Sequence, residues 1–286
     1  MKILVTGGSG FIGQAVAAAI TRSGNEAVLL DRRGTLAASV MGDVRDRGAI
    51  FEAIYNVDGV IHLAAILGTQ ETFNRTREVA ENNILGSLNV FDACRDLKKR
   101  GVYIAVGNHW MNNPYSISKT AAERFALMYN AEMGTEIAVV RGMNVYGPGQ
   151  KAAPVRKIMP NLVLPALRDE EITIYGDGTQ VMDMIYVDDI AEILVRALLR
   201  DHGVYDRVFE AGAGADTTVN DLARMVIAEA GGGRIRHVEM RPGEIPNSIV
   251  KADVSTLVPL GVTPEEMVPL EEGVRRTVEW YRAHAS

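Results

Sequence analysis

The chain has 286 residues, 47% hydrophobic and 23% charged, with 30 basic against 36 acidic side chains and a net charge of −6. That balance is close to the average for globular proteins and excludes a disordered chain, a fibrous repeat and a coiled coil. The acidity removes the broad basic footprint of a nucleic-acid binder, and the single cysteine, Cys94, excludes a disulfide-stapled secreted scaffold.

The first half alternates short apolar runs with helical patterns. Ile3-Leu4-Val5 precedes a helix over 12–23, and Ala27-Val28-Leu29-Leu30 follows it. A short helix near 46–56 leads into Gly59-Val60-Ile61-His62-Leu63. A long helix over about 74–99 precedes Val102-Tyr103-Ile104-Ala105-Val106, and another near 115–133 precedes Ile137-Ala138-Val139-Val140. Runs this short, apolar on both faces, predict parallel strands buried between helix layers. The expected class is an α/β doubly wound parallel sheet of Rossmann type. Proline at 148, 154, 160 and 165 then breaks the helical rhythm. Ile172-Thr173-Ile174-Tyr175 ends in a Gly-Asp-Gly turn, and helices are expected over about 188–200, from near Thr218 with Thr217 or Thr218 as cap, and over 270–284. The division expected is a dinucleotide-binding domain over 1–147 and a smaller C-terminal α/β substrate lobe over 148–286. Chain from about 180 to 212 returns to the main sheet in this reading.

No stretch approaches the roughly 18 consecutive apolar residues of a membrane span. Three apolar residues after Met1-Lys2 fall short of the about 7–15 of a secretory signal, so a cytoplasmic protein is expected.

Thr6-Gly7-Gly8-Ser9-Gly10-Phe11-Ile12-Gly13 lies between the first strand and the first helix. Gly7 permits a tight turn, Gly10 lets backbone approach a pyrophosphate, and Gly13 lets helix and strand pack closely. The helix N-terminus presents N–H groups to phosphate. Asp31 ends the second strand at the position of a ribose-binding carboxylate, which accepts from both hydroxyls and repels a 2′-phosphate. This favours NAD over NADP, while Arg32 or Arg33 could bind a 2′-phosphate or stack on adenine. Asp43, in Gly42-Asp43-Val44, is placed to meet the adenine.

Tyr115 and Lys119 are four residues apart at the start of a helix and share a face. An ammonium beside a phenol lowers the tyrosine pKa from about 10 towards neutrality. Such a tyrosine can take a proton from a sugar hydroxyl as hydride leaves, and return it in reverse.

At these residues the chain resembles the extended short-chain dehydrogenase/reductase family, in its NAD-dependent epimerase/dehydratase, nucleotide-sugar branch. TGGSGFIG at 6–13, GDVRD at 42–46, HLAA at 62–65, NILGSLNV at 83–90 and YSISKTAAE at 115–123 look like successive family motifs. RGMNVYGPG at 141–149, IYGDGTQVMDMIYVDD at 174–189, RPGE at 241–244 and the EEGVRRTVEWY tail continue the series. The resemblance implies dinucleotide contacts at Gly7, Gly10, Phe11, Ile12, Gly13, Asp31, Arg32, Asp43, Val44, Leu63, Ala64, Ala65, Tyr115 and Lys119. It implies Tyr115 as acid/base, Asn144 and Arg241 facing a nucleotide-diphosphate sugar, Arg241 on its phosphates, and a homodimer through the helices near 74–99 and 115–133. A guanidinium suits a diphosphate because it binds bidentately.

Two departures stand out. The family carries Ser or Thr just after the strand before the tyrosine, but no hydroxyl residue lies between Tyr103 and Tyr115. Asn108 could supply that hydrogen bond as a third catalytic group, or His109 could titrate near neutrality and supply a proton. Thr69 or Glu71 could also stand in. The Asp-Glu pair of sugar 4,6-dehydratases is missing from this loop. Met182 replaces an arginine that contacts phosphate, leaving Arg241 with Lys151, Arg156 or Lys157 for that task. The function expected is C4 epimerisation of a nucleotide sugar, with no metal. A dehydratase of unusual type, a sugar dehydrogenase/reductase and an NAD(P)-sensing binding protein remain as alternatives.

Overall fold

The structure, a computed structural model, describes residues 1–32, 39–241 and 244–284. Arg33 lies outside the described residues. Seven parallel strands form the main sheet in the order β11-β6-β5-β4-β1-β2-β3. They are β1 (Lys2–Thr6), β2 (Glu26–Asp31), β3 (Ser39–Met41), β4 (Gly59–His62), β5 (Arg100–Val106), β6 (Ile137–Gly142) and, late in the chain, β11 (Val208–Ala211). Ile3, Leu4 and Val5 of β1 are all fully buried. Ile3 and Val5 join a core packed against α1 (Phe11–Arg22) and α7 (Val187–Leu199), whereas Leu4 faces a core that includes α2 (Arg47–Tyr55), α4 (Gly86–Leu97) and α5 (Pro114–Met133). A strand covered on both faces has no polar side to show, which is why these runs are continuously apolar. The chain leaves β1 towards β2 and β3, then starts again at β4 on the other side of β1. That reversal opens a crevice beyond the carboxyl ends of β1 and β4, where the glycine turn and Leu63-Ala64-Ala65 lie.

The helix expected over 74–99 is interrupted. A 3₁₀ turn at Phe73–Arg75, α3 (Thr76–Ala80), a π turn at Glu81–Leu85 and α4 follow one another. The wide turn directs the amides of Asn82 and Asn83 into the interior, where both are buried.

Beyond β6 run β7 (Asn144–Tyr146), α6 (Ile158–Leu167), β8 (Glu171–Tyr175), β9 (Val181–Met182), β10 (Met184–Tyr186), α8 (Val219–Ala230), β12 (Arg234–Val238), β13 (Ile249–Val250) and α9 (Leu270–His284). The strands pair in parallel as β7–β10, β8–β12 and β9–β13. A third core unites α6, α8 and α9 around Leu162, Leu222 and Val278. Helix α6 contradicts the disruptive role given to its prolines. Pro160 falls in the first turn, where a backbone N–H has no intrahelical partner, and the carbonyl of Pro165 accepts from Arg168 and Glu170 as the helix ends. Thr218, of the two threonines considered, caps α8 by accepting from the Asp221 N–H at 3.0 Å. No helix among the described residues is long and apolar enough to cross a membrane.

Candidate active site

The glycine turn is closed by backbone. Gly7 N–H donates to the Leu30 carbonyl at 2.8 Å, and Gly10 N–H donates to the Gly7 carbonyl at 3.0 Å. Gly7 has φ +71°, a conformation that side chains disfavour. A Cβ at Gly13 would sit 2.4 Å from the Gly7 oxygen, and one at Gly7 would sit 2.9 Å from the Ala64 nitrogen. Gly10 caps α1 without a side chain, Phe11 and Ile12 form its first turn, and Ser9 Oγ is buried with no partner among the described residues. These features fit the pyrophosphate of a dinucleotide: small residues leave the space, and the helix end and a spare hydroxyl face it. Asp31 accepts from the Ser9 N–H at 3.3 Å, which fixes its carboxylate beside the turn. Asp43 is engaged by Arg45, whose Nη2 lies at 2.7 Å, and by Arg32 at 4.0 Å; the Arg45 guanidinium holds its carboxyl below the usual range. Val44 is buried against Gly86.

A buried relay ties the two loops of the crevice. Ala64 N–H donates to Thr6 Oγ1 at 3.3 Å, and Thr6 Oγ1 lies 2.6 Å from His62 Nδ1. His62 Nε2 is 3.0 Å from Ser87 Oγ, which donates to the Asn83 carbonyl at 2.6 Å. Since Ser87 spends its proton on the carbonyl, His62 donates through Nε2 and accepts through Nδ1. Burial pushes the imidazole down to about 3, so His62 is a neutral scaffold group. Asn83 clamps Ile66 through its N–H at 2.8 Å and its carbonyl at 3.0 Å, and donates to Ser118 Oγ at 3.0 Å. It thereby holds the loop after Ala65 against the helix that carries Tyr115. The signal for this role in the sequence is the polar pair Asn82-Asn83 inside an otherwise apolar helix pattern.

Helix α5 begins at Pro114, capped by Asn113, whose Oδ1 accepts from the Ser116 N–H at 2.9 Å. Tyr115 and Lys119 sit on its first two turns. The Lys119 ammonium lies 4.1 Å from the centroid of the Tyr103 ring, and the Tyr103 hydroxyl donates to the Lys119 carbonyl at 3.0 Å. Burial pushes Lys119 down to about 7 and Tyr115 up to about 12. The expected depression of the tyrosine is therefore corrected: desolvation of the phenolate dominates, and the ammonium is held on another ring.

In the loop between β5 and α5, Asn108 Oδ1 accepts from Ser116 Oγ at 3.3 Å, so a buried hydroxyl just after Tyr115 fixes the Asn108 amide. The His109 carbonyl accepts from Thr120 Oγ1 at 3.0 Å. Burial and the Arg141 guanidinium hold the His109 imidazole below its ordinary range, against the opposing pull of Glu123 and Glu210. Arg141 itself binds Glu123 through Nη2 at 2.6 Å and Nε at 2.9 Å, and Glu210 through Nη1 at 3.0 Å.

On the substrate side, Asn144 Nδ2 donates to the Asp183 carbonyl at 3.1 Å. Asp183, which sequence reading did not single out, is fully buried and accepts from the N–H groups of Ala213 and Gly214 at 2.9 Å and Ala252 at 3.0 Å. Arg241 binds Glu244 and stacks 4.4 Å over the Tyr175 ring; its Nε is buried with no partner among the described residues. In the loop after Ala65, the Thr69 carbonyl accepts from Thr72 Oγ1 at 3.2 Å, and Glu71 Oε1 accepts from the Arg156 N–H at 3.1 Å. Lys157 is held below the usual lysine range by burial, and Glu71 opposes that shift. No group of three or more potential metal ligands occurs among the described residues.

Comparison with known proteins gives one consistent picture. The NAD dependent epimerase/dehydratase family matches residues 3–212. A dTDP-4-dehydro-6-deoxy-D-allose reductase of Streptomyces bikiniensis is 31% identical, over 99% of this chain and 96% of its own. The UDP-glucose 4-epimerase of Thermotoga maritima, solved with UDP-glucose, is 27% identical with TM-score 0.91, covering 100% of both chains. The UDP-glucose 4-epimerase of Thermus thermophilus, solved with NAD, is 26% identical with TM-score 0.87 over 99% of each chain.

Proposed function

This chain belongs to the NAD dependent epimerase/dehydratase family, and from that premise we propose an NAD-dependent nucleotide-sugar epimerase acting at C4 through a transient 4-keto sugar. The observation that carries the reading is that the buried relay from Thr6 through His62, Ser87 and Asn83 to Ser118 ties the closed glycine turn to the helix that bears Tyr115 and Lys119. Likeness to two UDP-glucose 4-epimerases supports the substrate class. Gly7, Gly10, Gly13 and the first turn of α1 hold the pyrophosphate, and Asp31 holds the adenosine ribose, which selects NAD over NADP. The dinucleotide, when bound, accepts a hydride and returns it.

Tyr115 moves the proton at the sugar 4-hydroxyl. As a phenol it is the acid, and as the phenolate left behind it is the base. Asn108 orients the same hydroxyl through its amide. Arg241 binds the diphosphate, leaving the sugar ring to present either face at one fixed C4. The reading includes a homodimer through α4 and α5, supported by the exposed apolar residues Ile117, Phe125 and Met133 of α5.

The test is NMR of the purified protein with UDP-, dTDP- and GDP-sugars. Inversion of the sugar signal without net NADH is expected. An alkene signal would replace the reading with a dehydratase, and stoichiometric NADH would replace it with a dehydrogenase or reductase.

A further inference from the structure

We propose that Tyr103 is the positioning residue of Lys119: its ring is a seat that holds the ammonium in place and leaves its N–H groups for the dinucleotide. The inference rests on the reading of Lys119 as a dinucleotide contact and adds the residue that prepares that contact. Tyr103 lies within β5, paired with His62 of β4 and Val139 of β6. Its ring is pinned on several sides. The hydroxyl donates to the Lys119 carbonyl at 3.0 Å, the Phe91 ring meets it in a T-shaped contact at 5.5 Å, and the His62 ring lies at 5.8 Å. One residue thus touches Lys119 twice, at its backbone and, 4.1 Å from the ring centroid, at its ammonium.

Lys119 is 2% exposed, so its ammonium needs a partner inside the protein. Glu123 stands one turn further along α5, at a spacing that suits an ion pair. Both of its oxygens are taken by Arg141 of β6, Oε1 from Nη2 at 2.6 Å and Oε2 from Nε at 2.9 Å. Tyr115 is a phenol raised by burial, and His62 is neutral. Burial, followed by Tyr115 and Glu123, keeps Tyr103 well above the ordinary tyrosine range, so it too stays a neutral phenol. Among the described residues the ammonium makes no hydrogen bond and no ion pair, and its contact is the Tyr103 ring. A ring face attracts the charge through its quadrupole and offers no fixed acceptor. The three N–H donors can then serve oxygens that the dinucleotide brings, whereas an ion pair with Glu123 would spend them.

NMR of the full-length protein, labelled with ¹³C at the lysine ε-carbons, tests the seat. The Lys119 signal is assigned by its loss in Lys119→Met. In wild type the Lys119 ε-methylene protons should lie upfield of those of every other lysine, because the ring shields them, and should titrate near about 7. Tyr103→Leu keeps the site apolar and removes the ring, so the midpoint should fall by about half to one pH unit. Tyr103→Phe keeps the ring and should hold the midpoint within about 0.3 unit of wild type. Calorimetry should show NAD weakened about three- to tenfold in Tyr103→Leu at pH 8, and less than about threefold at pH 6, where much of Lys119 keeps its proton in both proteins.

An unshifted Lys119 signal in the wild-type protein overturns the seat, and that measurement needs no tyrosine variant to fold. A midpoint unchanged in Tyr103→Leu, or lowered equally by leucine and phenylalanine, also rejects it. If Lys119→Met binds NAD as tightly as wild type, both the seat and the dinucleotide role of Lys119 fail. An unshifted signal beside a clear loss of NAD affinity in Lys119→Met removes the seat alone.

Discussion

Replacing Gly13 by alanine sets two effects of opposite sign against each other. Inside an exposed helix the change would stabilise by about 1 kcal/mol, because glycine is the poorer helix former. At Gly13 the new Cβ meets the Gly7 oxygen at 2.4 Å and the Gly8 Cα and carbonyl carbon at 2.8 Å. All three are backbone atoms, so no side chain can swing aside. Ordinary contact requires about 3.4 Å, so the Gly7 carbonyl must retreat by about 1 Å. That carbonyl is the acceptor for the Gly10 N–H, so the turn moves with it. Overpacking of this kind costs about 1–3 kcal/mol, which meets or outweighs the helix gain. The expected result is a net loss of up to about 2 kcal/mol, seen as a fall in Tm of up to roughly 4 °C. NAD affinity should fall at least about tenfold, since a displacement of about 1 Å in a positioning loop costs up to two orders of magnitude. Thermal unfolding and NAD calorimetry on Gly13→Ala measure both. Wild-type Tm together with wild-type NAD affinity would refute the close-packing argument for the whole turn.

Three further outcomes follow from named groups. Tyr115→Phe should lower turnover at least about a hundredfold and leave NAD binding intact; full turnover would remove Tyr115 from the chemistry. His62 has its pKa depressed by burial to about 3 from the ordinary 6.5. The unfolded chain therefore takes up a proton that the folded one refuses, and stability falls as pH drops from about 6.5 towards 3, by about 1.4 kcal/mol per pH unit. Denaturant midpoints between pH 7 and 5 should show a smaller slope in His62→Gln, and an identical slope would assign the effect elsewhere. Arg141→Met strands the Glu123 carboxylate, whose side chain is 4% exposed, and should cost about 3–5 kcal/mol. The double variant Glu123→Met/Arg141→Met should recover most of that, and a double variant no more stable than the single would show that the pair is not the source.

The strands and most helices were legible in the sequence because each is a local, periodic property. Ile3-Leu4-Val5 must be covered on both faces, and the Gly7, Gly10 and Gly13 spacing between a strand and a helix implies a turn before any neighbour is known. The Tyr115–Lys119 pairing likewise follows from the helical repeat. Local rules failed at α6, where Pro160 and Pro165 read as breaks, and at 81–85, where a π turn entered an otherwise regular helix. In both places the third dimension decides: the buried positions of α6 pack into a core built from α8 and α9, and the buried amide of Asn83 is satisfied only by Ile66 and Ser118.

The sequence by itself determined the sheet, the glycine turn and the spacing of Tyr115 and Lys119 on one helix. Tertiary structure alone decided the state of those groups. The Lys119 ammonium is set on the Tyr103 ring, Tyr115 is raised instead of lowered by burial, and His109 is lowered by burial and the Arg141 guanidinium. It also brought Arg156 to the hydroxyl of Tyr175 and Arg241 to its ring, from segments far apart in the chain. Charge state depends on burial and on neighbours within a few ångströms, and residue spacing along the chain carries neither quantity.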